Sequence, residues 1–200
     1  MHPYRSWFLT LTIDQEHIDH ELDEDAAPIG TLRKKAFLKW INNTAQRVGS
    51  FRYYAVGEYG DLTGRPHYHL AVFPSAHCSI ADLKDAWTQG WVSIAELNAT
   101  RARYLANYTA KKLTKSTDHR LSGNQEPEFR ASSRRPALGA EFVRAYYRSL
   151  VKTGNIDRLV KAQGDVPRTV KFDGRTYPLG PWALDKLRRL TGVPLLHTGS

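Results

Sequence analysis

Apolar and threonine side chains alternate over Phe8-Leu9-Thr10-Leu11-Thr12-Ile13, a period of two that predicts a short strand. The acidic stretch that follows, closing at Pro28, has few apolar positions and reads as a solvated loop. Apolar residues then recur at helical spacing, at Leu32, Ala36, Phe37, Trp40, Ile41, Ala45 and Val48. Thr31 is the expected N-cap of that helix and Gly49 its stop. Two aromatic-rich runs, residues 51–58 and 67–73, flank a stretch of turn residues and predict a hairpin with a long loop. Residues 80–87 read as helix, 91–97 as strand, and 101–113 as a helix that Thr100 would cap. Residues 116–136 are polar, basic and irregular, with no element expected. A helix follows over 139–152. Asp173-Gly174 between two short runs marks a second hairpin, and Pro181 opens a last helix that ends before Gly192. Hairpins mixed with helices imply an α+β fold. The expected division is a main domain at 1–154 and a hairpin-plus-helix extension at 155–200.

Composition narrows the chemistry. No apolar run approaches the roughly 20 residues of a membrane helix, so no membrane partner is expected. One cysteine, Cys78, rules out an internal disulfide framework. The net charge is +9, yet seven of the 20 acidic residues lie within residues 14–25, where no Lys or Arg occurs. Elsewhere 29 basic residues face 13 acidic ones, a balance that favours a polyanionic partner such as nucleic acid.

The most informative triplet is His67-Tyr68-His69. Residues two apart on a strand share a face, so both imidazoles can address one cation. His-x-His alone is more often plain strand packing, but the hairpin supplies a third group. An antiparallel register summing to 125 or 127 sets Glu58 opposite one of the two histidines. Two imidazoles and one carboxylate leave coordination positions open, as a catalytic metal site requires. Tyr104 and Tyr108, spaced i and i+4, share one helix face. A phenol with pKa near 10 is only about one part in a thousand ionised at pH 7, so tyrosine chemistry there needs help from cations.

Three ordered segments carry a specific resemblance: Phe8-Leu9-Thr10-Leu11-Thr12; Gly57-Glu58-Tyr59-Gly60 with Arg65-Pro66-His67-Tyr68-His69; and Tyr104-x-x-x-Tyr108-x-x-Lys111. They resemble the motifs of the HUH endonuclease superfamily, and most of all the rolling-circle replication initiators of microviruses, small single-stranded DNA phages. Ser132-Ser133-Arg134-Arg135-Pro136 is similar to a further segment of those phage proteins. The motifs cover about residues 7–140; residues 155–200 match none.

The resemblance implies a central antiparallel sheet of about five strands flanked by helices, with the histidine pair on a middle strand and the tyrosine helix over it. It implies Mg²⁺ or Mn²⁺ held by His67, His69 and Glu58, although two imidazoles suit Mn²⁺ or Zn²⁺ at least as well as Mg²⁺. Tyr108, in a Tyr-x-x-Lys pattern with Lys111, would be the nucleophile and Tyr104 its partner. The product would be a 5′-phosphotyrosine link and a free 3′-OH. Implied partners are single-stranded origin DNA and the host polymerase and helicase, in the cytoplasm of a bacterial host. Lys112, Lys115, Arg130, Arg134 and Arg135 form a cationic cluster after the tyrosine helix, suited to phosphates. Two rival readings stand beside this one. One is a non-catalytic α+β module that binds single-stranded nucleic acid; the other is a metal enzyme acting on a small molecule.

Overall fold

A computed structural model describes residues 5–18, 30–60, 63–76, 78–110, 113–123, 125–172 and 174–194. The fold is α+β around a five-stranded antiparallel sheet of order β4-β1-β3-β2-β5. The strands are β1 (Trp7–Ile13), β2 (Phe51–Tyr59), β3 (Pro66–Pro74), β4 (Gly90–Glu96) and β5 (Phe129–Ser132). Helices α1 (Lys34–Val48), α2 (Ile80–Asp85) and α3 (Ala99–Ala110) connect them. Among the described residues no helix is long and apolar enough to cross a membrane.

The period of two sorts each strand onto two faces. Trp7, Leu9, Leu11 and Ile13 of β1 join Tyr68, Leu70 and Val72 of β3 in the larger core, which α1 enters through Phe37 and Ile41. Phe37 stacks on Tyr68 with ring centroids 4.7 Å apart. On the opposite face a smaller apolar cluster of Val56, Ala71 and Leu105 seats α3 on the sheet. The remainder of that second face carries the polar residues described below.

Local signals misplace several boundaries. Helix α1 starts at Lys34, and Thr31 does not cap it; the Thr31 hydroxyl instead accepts from the Glu126 N–H at 2.8 Å. Asn98, rather than Thr100, caps the first turn of α3 by accepting from Arg101 N at 2.9 Å. The segment expected to be irregular contains β5, which pairs with β2 from Tyr54↔Ser132 to Gly57↔Phe129. A reciprocal pair holds the approach to it: Glu128 N donates to Thr114 Oγ1 at 2.8 Å and Thr114 N to a Glu128 carboxylate oxygen at 3.2 Å. Gly57 leaves room for the Phe129 ring, which an added Cβ would meet at 2.6 Å.

The chain separates into two compact units, Met1–Arg134 and Arg135–Ser200, so the break falls ahead of the expected residue 154. The reason is the helix α4 (Ala140–Lys152). Its Val143 and Leu150 belong to a core shared with Ile156, Val166, Val170, Leu179 and Leu187 of the second unit. That unit adds α5 (Asn155–Gln163), the hairpin β6 (Thr169–Phe172) and β7 (Arg175–Pro178), and α6 (Pro181–Thr191). The expected hairpin register is observed, with Phe172 opposite Arg175; Asp173 lies outside the described residues. Helix α5 was not expected, because its nine residues sit between Gly154 and Gly164, both left-handed.

One ion pair braces this second core. Arg188, only 6% exposed, donates twice to Asp165, at 2.8 and 2.7 Å, and once to Asp185 at 2.9 Å. Asp165→Ala is expected to cost about 2–3 kcal/mol in urea unfolding, somewhat below a fully buried pair because Asp185 still holds the guanidinium. The hydrogen bonds from Arg188 hold the Asp165 carboxyl at about 2, below its ordinary 3.8. A depressed carboxylate stabilises the fold at pH values above its unfolded pKa, and that contribution is lost as pH falls through the folded value. Stability of the wild type should therefore decline between about pH 4 and pH 2 more steeply than that of the Asp165→Ala variant.

Candidate active site

Strand pairing builds one row across the second face of the sheet. Glu58 of β2 lies opposite His67 of β3, His67 opposite Thr12 of β1, and Thr12 opposite Trp91 of β4. The neighbouring row runs Arg130, Val56, His69, Thr10 and Ser93. The register thus sums to 125, one of the two values that put Glu58 on the histidine face.

The two threonines of β1 orient the two imidazoles. Thr10 Oγ1 lies 3.0 Å from His69 Nδ1 and Thr12 Oγ1 3.0 Å from His67 Nδ1. With both Nδ1 atoms engaged, the Nε2 atoms are the remaining donors of each ring. The rings lie 6.3 Å apart and tilt by 29°, and Phe8 stacks on His69 at 5.9 Å. Gly60 passes close to His67, where an added Cβ would stand 2.8 Å from Nε2.

Helix α3 brings both phenols to this point. Tyr104 donates its hydroxyl proton to Glu58 Oε1 at 3.1 Å and stands 3.4 Å from His69 Nε2. The Tyr108 hydroxyl is 2.9 Å from that of Tyr104. Glu58 Oε1 is also 3.0 Å from His69 Nε2. Glu58 is buried, which opposes its ionisation, but hydrogen bonds from His69, Tyr108 and Tyr104 outweigh burial and hold its carboxyl below the ordinary value. Burial lowers the His67 pKa, helped by the neighbouring His69, so His67 favours the neutral, ligating form. Tyr108 is pushed far up, first by burial and then by its bonds to Glu58 and Tyr104. Its proton stays on in this arrangement.

The donor set fits a divalent cation in kind: two imidazoles with fixed rings and one ionised carboxylate. Among the described residues, however, no three His, Cys, Asp or Glu side chains are gathered as a metal-binding group. Glu58 is instead turned onto His69 and the tyrosines, and gathering the three would require it to exchange those contacts.

Of the expected cations, Lys111 and Lys112 lie outside the described residues. Lys115 is exposed past the end of α3. Arg130 reaches the tyrosine helix, donating to the Tyr108 carbonyl at 3.3 Å. Arg134 and Arg135 are exposed beyond β5, where the first unit ends and the second begins. Sequence reasoning did not assign Thr10 and Thr12 their work. Their signal is the shared register, since both fall directly opposite a histidine.

Residues 6–113 match the family described as replication-associated protein ORF2/gene II protein. The chain belongs to that family. Among its curated relatives is replication-associated protein VP4 of Bdellovibrio phage phiMH2K, 27% identical over an alignment covering 80% of the chain and 55% of the relative. Replication-associated protein ORF4 of Chlamydia phage 1 is 26% identical, over 74% of the chain and 41% of the relative. Replication-associated protein ORF2 of Spiroplasma virus 4 is 30% identical, over 56% and 40%. The chain thus spans about half the length, or less, of these relatives. No solved structure is a significant match to this member of the family.

Proposed function

We propose that the chain is the nicking domain of a phage replication initiator, cutting single-stranded DNA with a tyrosine nucleophile. The observation that carries this reading is the chain of contacts from Tyr108 through Tyr104 to Glu58, at 2.9 and 3.1 Å, beside His69. A tyrosine pair used only for packing has no need to bring both hydroxyls onto a buried carboxylate and an imidazole.

In this reading Tyr108 attacks the phosphorus of a phosphodiester. Its proton passes to the Tyr104 hydroxyl as the Tyr104 proton passes to Glu58 Oε1, so the phenolate forms as the P–O bond is made. The bond to the 3′ oxygen breaks, leaving a 3′-OH and a 5′-phosphotyrosine. His67, His69 and Glu58 are the residues that would hold Mg²⁺ or Mn²⁺, which when bound supplies polarisation of a non-bridging phosphate oxygen. Arg130 steadies the end of the tyrosine helix, and Lys115, Arg134 and Arg135, with Lys111 and Lys112, supply cations for the DNA backbone. The free 3′-OH suits extension by a host polymerase, in the cytoplasm of a bacterial host. The names of the three phage relatives support a role in replication.

Cleavage assays on end-labelled single strands, hairpins and relaxed duplex test the proposal. Cutting should require unpaired DNA, stop in EDTA and return with added Mn²⁺. Equal cutting of relaxed duplex, or full activity in EDTA, would count against it, and binding without cutting on every substrate would favour a non-catalytic module.

A further inference from the structure

Trp91 has the highest exposure of any large hydrophobic side chain among the described residues, at 71%. It sits on β4, an edge strand of the sheet. Its neighbours Val92 and Ile94 pack against the larger core, so alternation turns Trp91 and Ser93 to the other face, the one that carries both histidines. Trp91 is the outer end of the row that continues through Thr12 and His67 to Glu58. With strands about 4.8 Å apart, its backbone lies on the order of 10 Å from that of His67. Helix α3 does not shelter it, because that helix is seated on the sheet through Leu105, against Val56 and Ala71.

An indole alone among Thr12, Thr10 and Ser93 is not an apolar patch fit for a protein partner. It does offer a flat aromatic face beside a candidate phosphate site, in a chain of net charge +9. Unpaired bases stack on such faces while the backbone follows the positive field. We infer that Trp91 is a stacking platform for an unpaired base flanking the phosphodiester held at His67, His69 and Glu58. The inference rests on the nicking reading for what occupies the inner end of the row.

The test compares labelled oligo(dT) with an abasic deoxyribose-phosphate strand of equal length, by fluorescence anisotropy in EDTA, so that binding is read without cleavage. Wild type should prefer oligo(dT). Trp91→Ala should narrow that preference about tenfold and leave abasic binding unchanged, while Trp91→Phe keeps most of it. An unchanged preference in Trp91→Ala, or equal weakening on both strands, would overturn the inference. So would an absence of preference in wild type, a result that no folding defect of a variant can confuse. Self-association lost in Trp91→Ala with the preference intact would assign the indole to a second copy and likewise overturn it. Failure of the nicking reading shows separately, as wild type that forms no covalent DNA adduct with Mn²⁺ present.

Discussion

Tyr108→Phe is expected to abolish strand cleavage and covalent attachment together, while DNA binding stays within about threefold of wild type. The substitution removes one oxygen and keeps the ring, which lies 5.3 Å from that of Tyr104 and packs with Val56, Ala71 and Leu105. The fold should therefore be unchanged, and a melting curve verifies it. Tyr104→Phe makes the informative contrast. It removes the link between the Tyr108 hydroxyl and Glu58 but not the attacking oxygen, so the rate should fall about 10²–10³-fold with the adduct still on Tyr108. Single-turnover cleavage separates the two variants. Wild-type rates in Tyr108→Phe would remove this residue from the chemistry.

The second large effect is expected from the imidazoles. His67→Ala and His69→Ala should each lower cleavage by at least about 10³-fold at limiting Mn²⁺ with much of the DNA affinity retained. Each ring is held by its own threonine at 3.0 Å, which leaves Nε2 as the working atom. His69→Ala also deprives buried Glu58 of a 3.0 Å partner, so its melting temperature must be compared before the rate loss is read as chemistry. His67 has no such contact with the carboxylate among its described bonds, and its variant gives the cleaner reading. Nicking at the wild-type rate by either variant would remove the imidazoles from metal binding.

Much of this arrangement is legible in the chain itself, because strand periodicity is a strict constraint. Once residues 51–58 and 67–73 pair about one loop, only two registers keep Glu58 on the histidine face, and the observed one places it directly opposite His67. The i, i+4 spacing of the tyrosines likewise needs only a helix to converge. What escaped depends on tertiary partners. Thr31 has the chemistry of a cap, but it is taken up by the Glu126 N–H, contributed by a segment 95 residues away. Strand β5 is four residues in a polar stretch and exists because β2 offers an open edge. Trp91 reads as core from its size alone; its exposure follows from a place on an edge strand, on the face that α3 covers only at its other end. Helix α4 reads correctly as a helix, yet its allegiance to the second unit is set by packing against Val166 and Leu187, which no local pattern reveals.

The central claim is that a tyrosine of α3 attacks DNA, and one measurement addresses it directly. Wild-type protein is incubated with Mn²⁺ and single-stranded oligonucleotides labelled at either end, and the products are read by intact-mass spectrometry and peptide mapping. The account predicts an adduct carrying the 3′ portion of the strand, mapped to Tyr108, abolished by EDTA and absent in Tyr108→Phe. Cleavage with no adduct on either tyrosine would contradict it, as would tight binding with neither cleavage nor adduct.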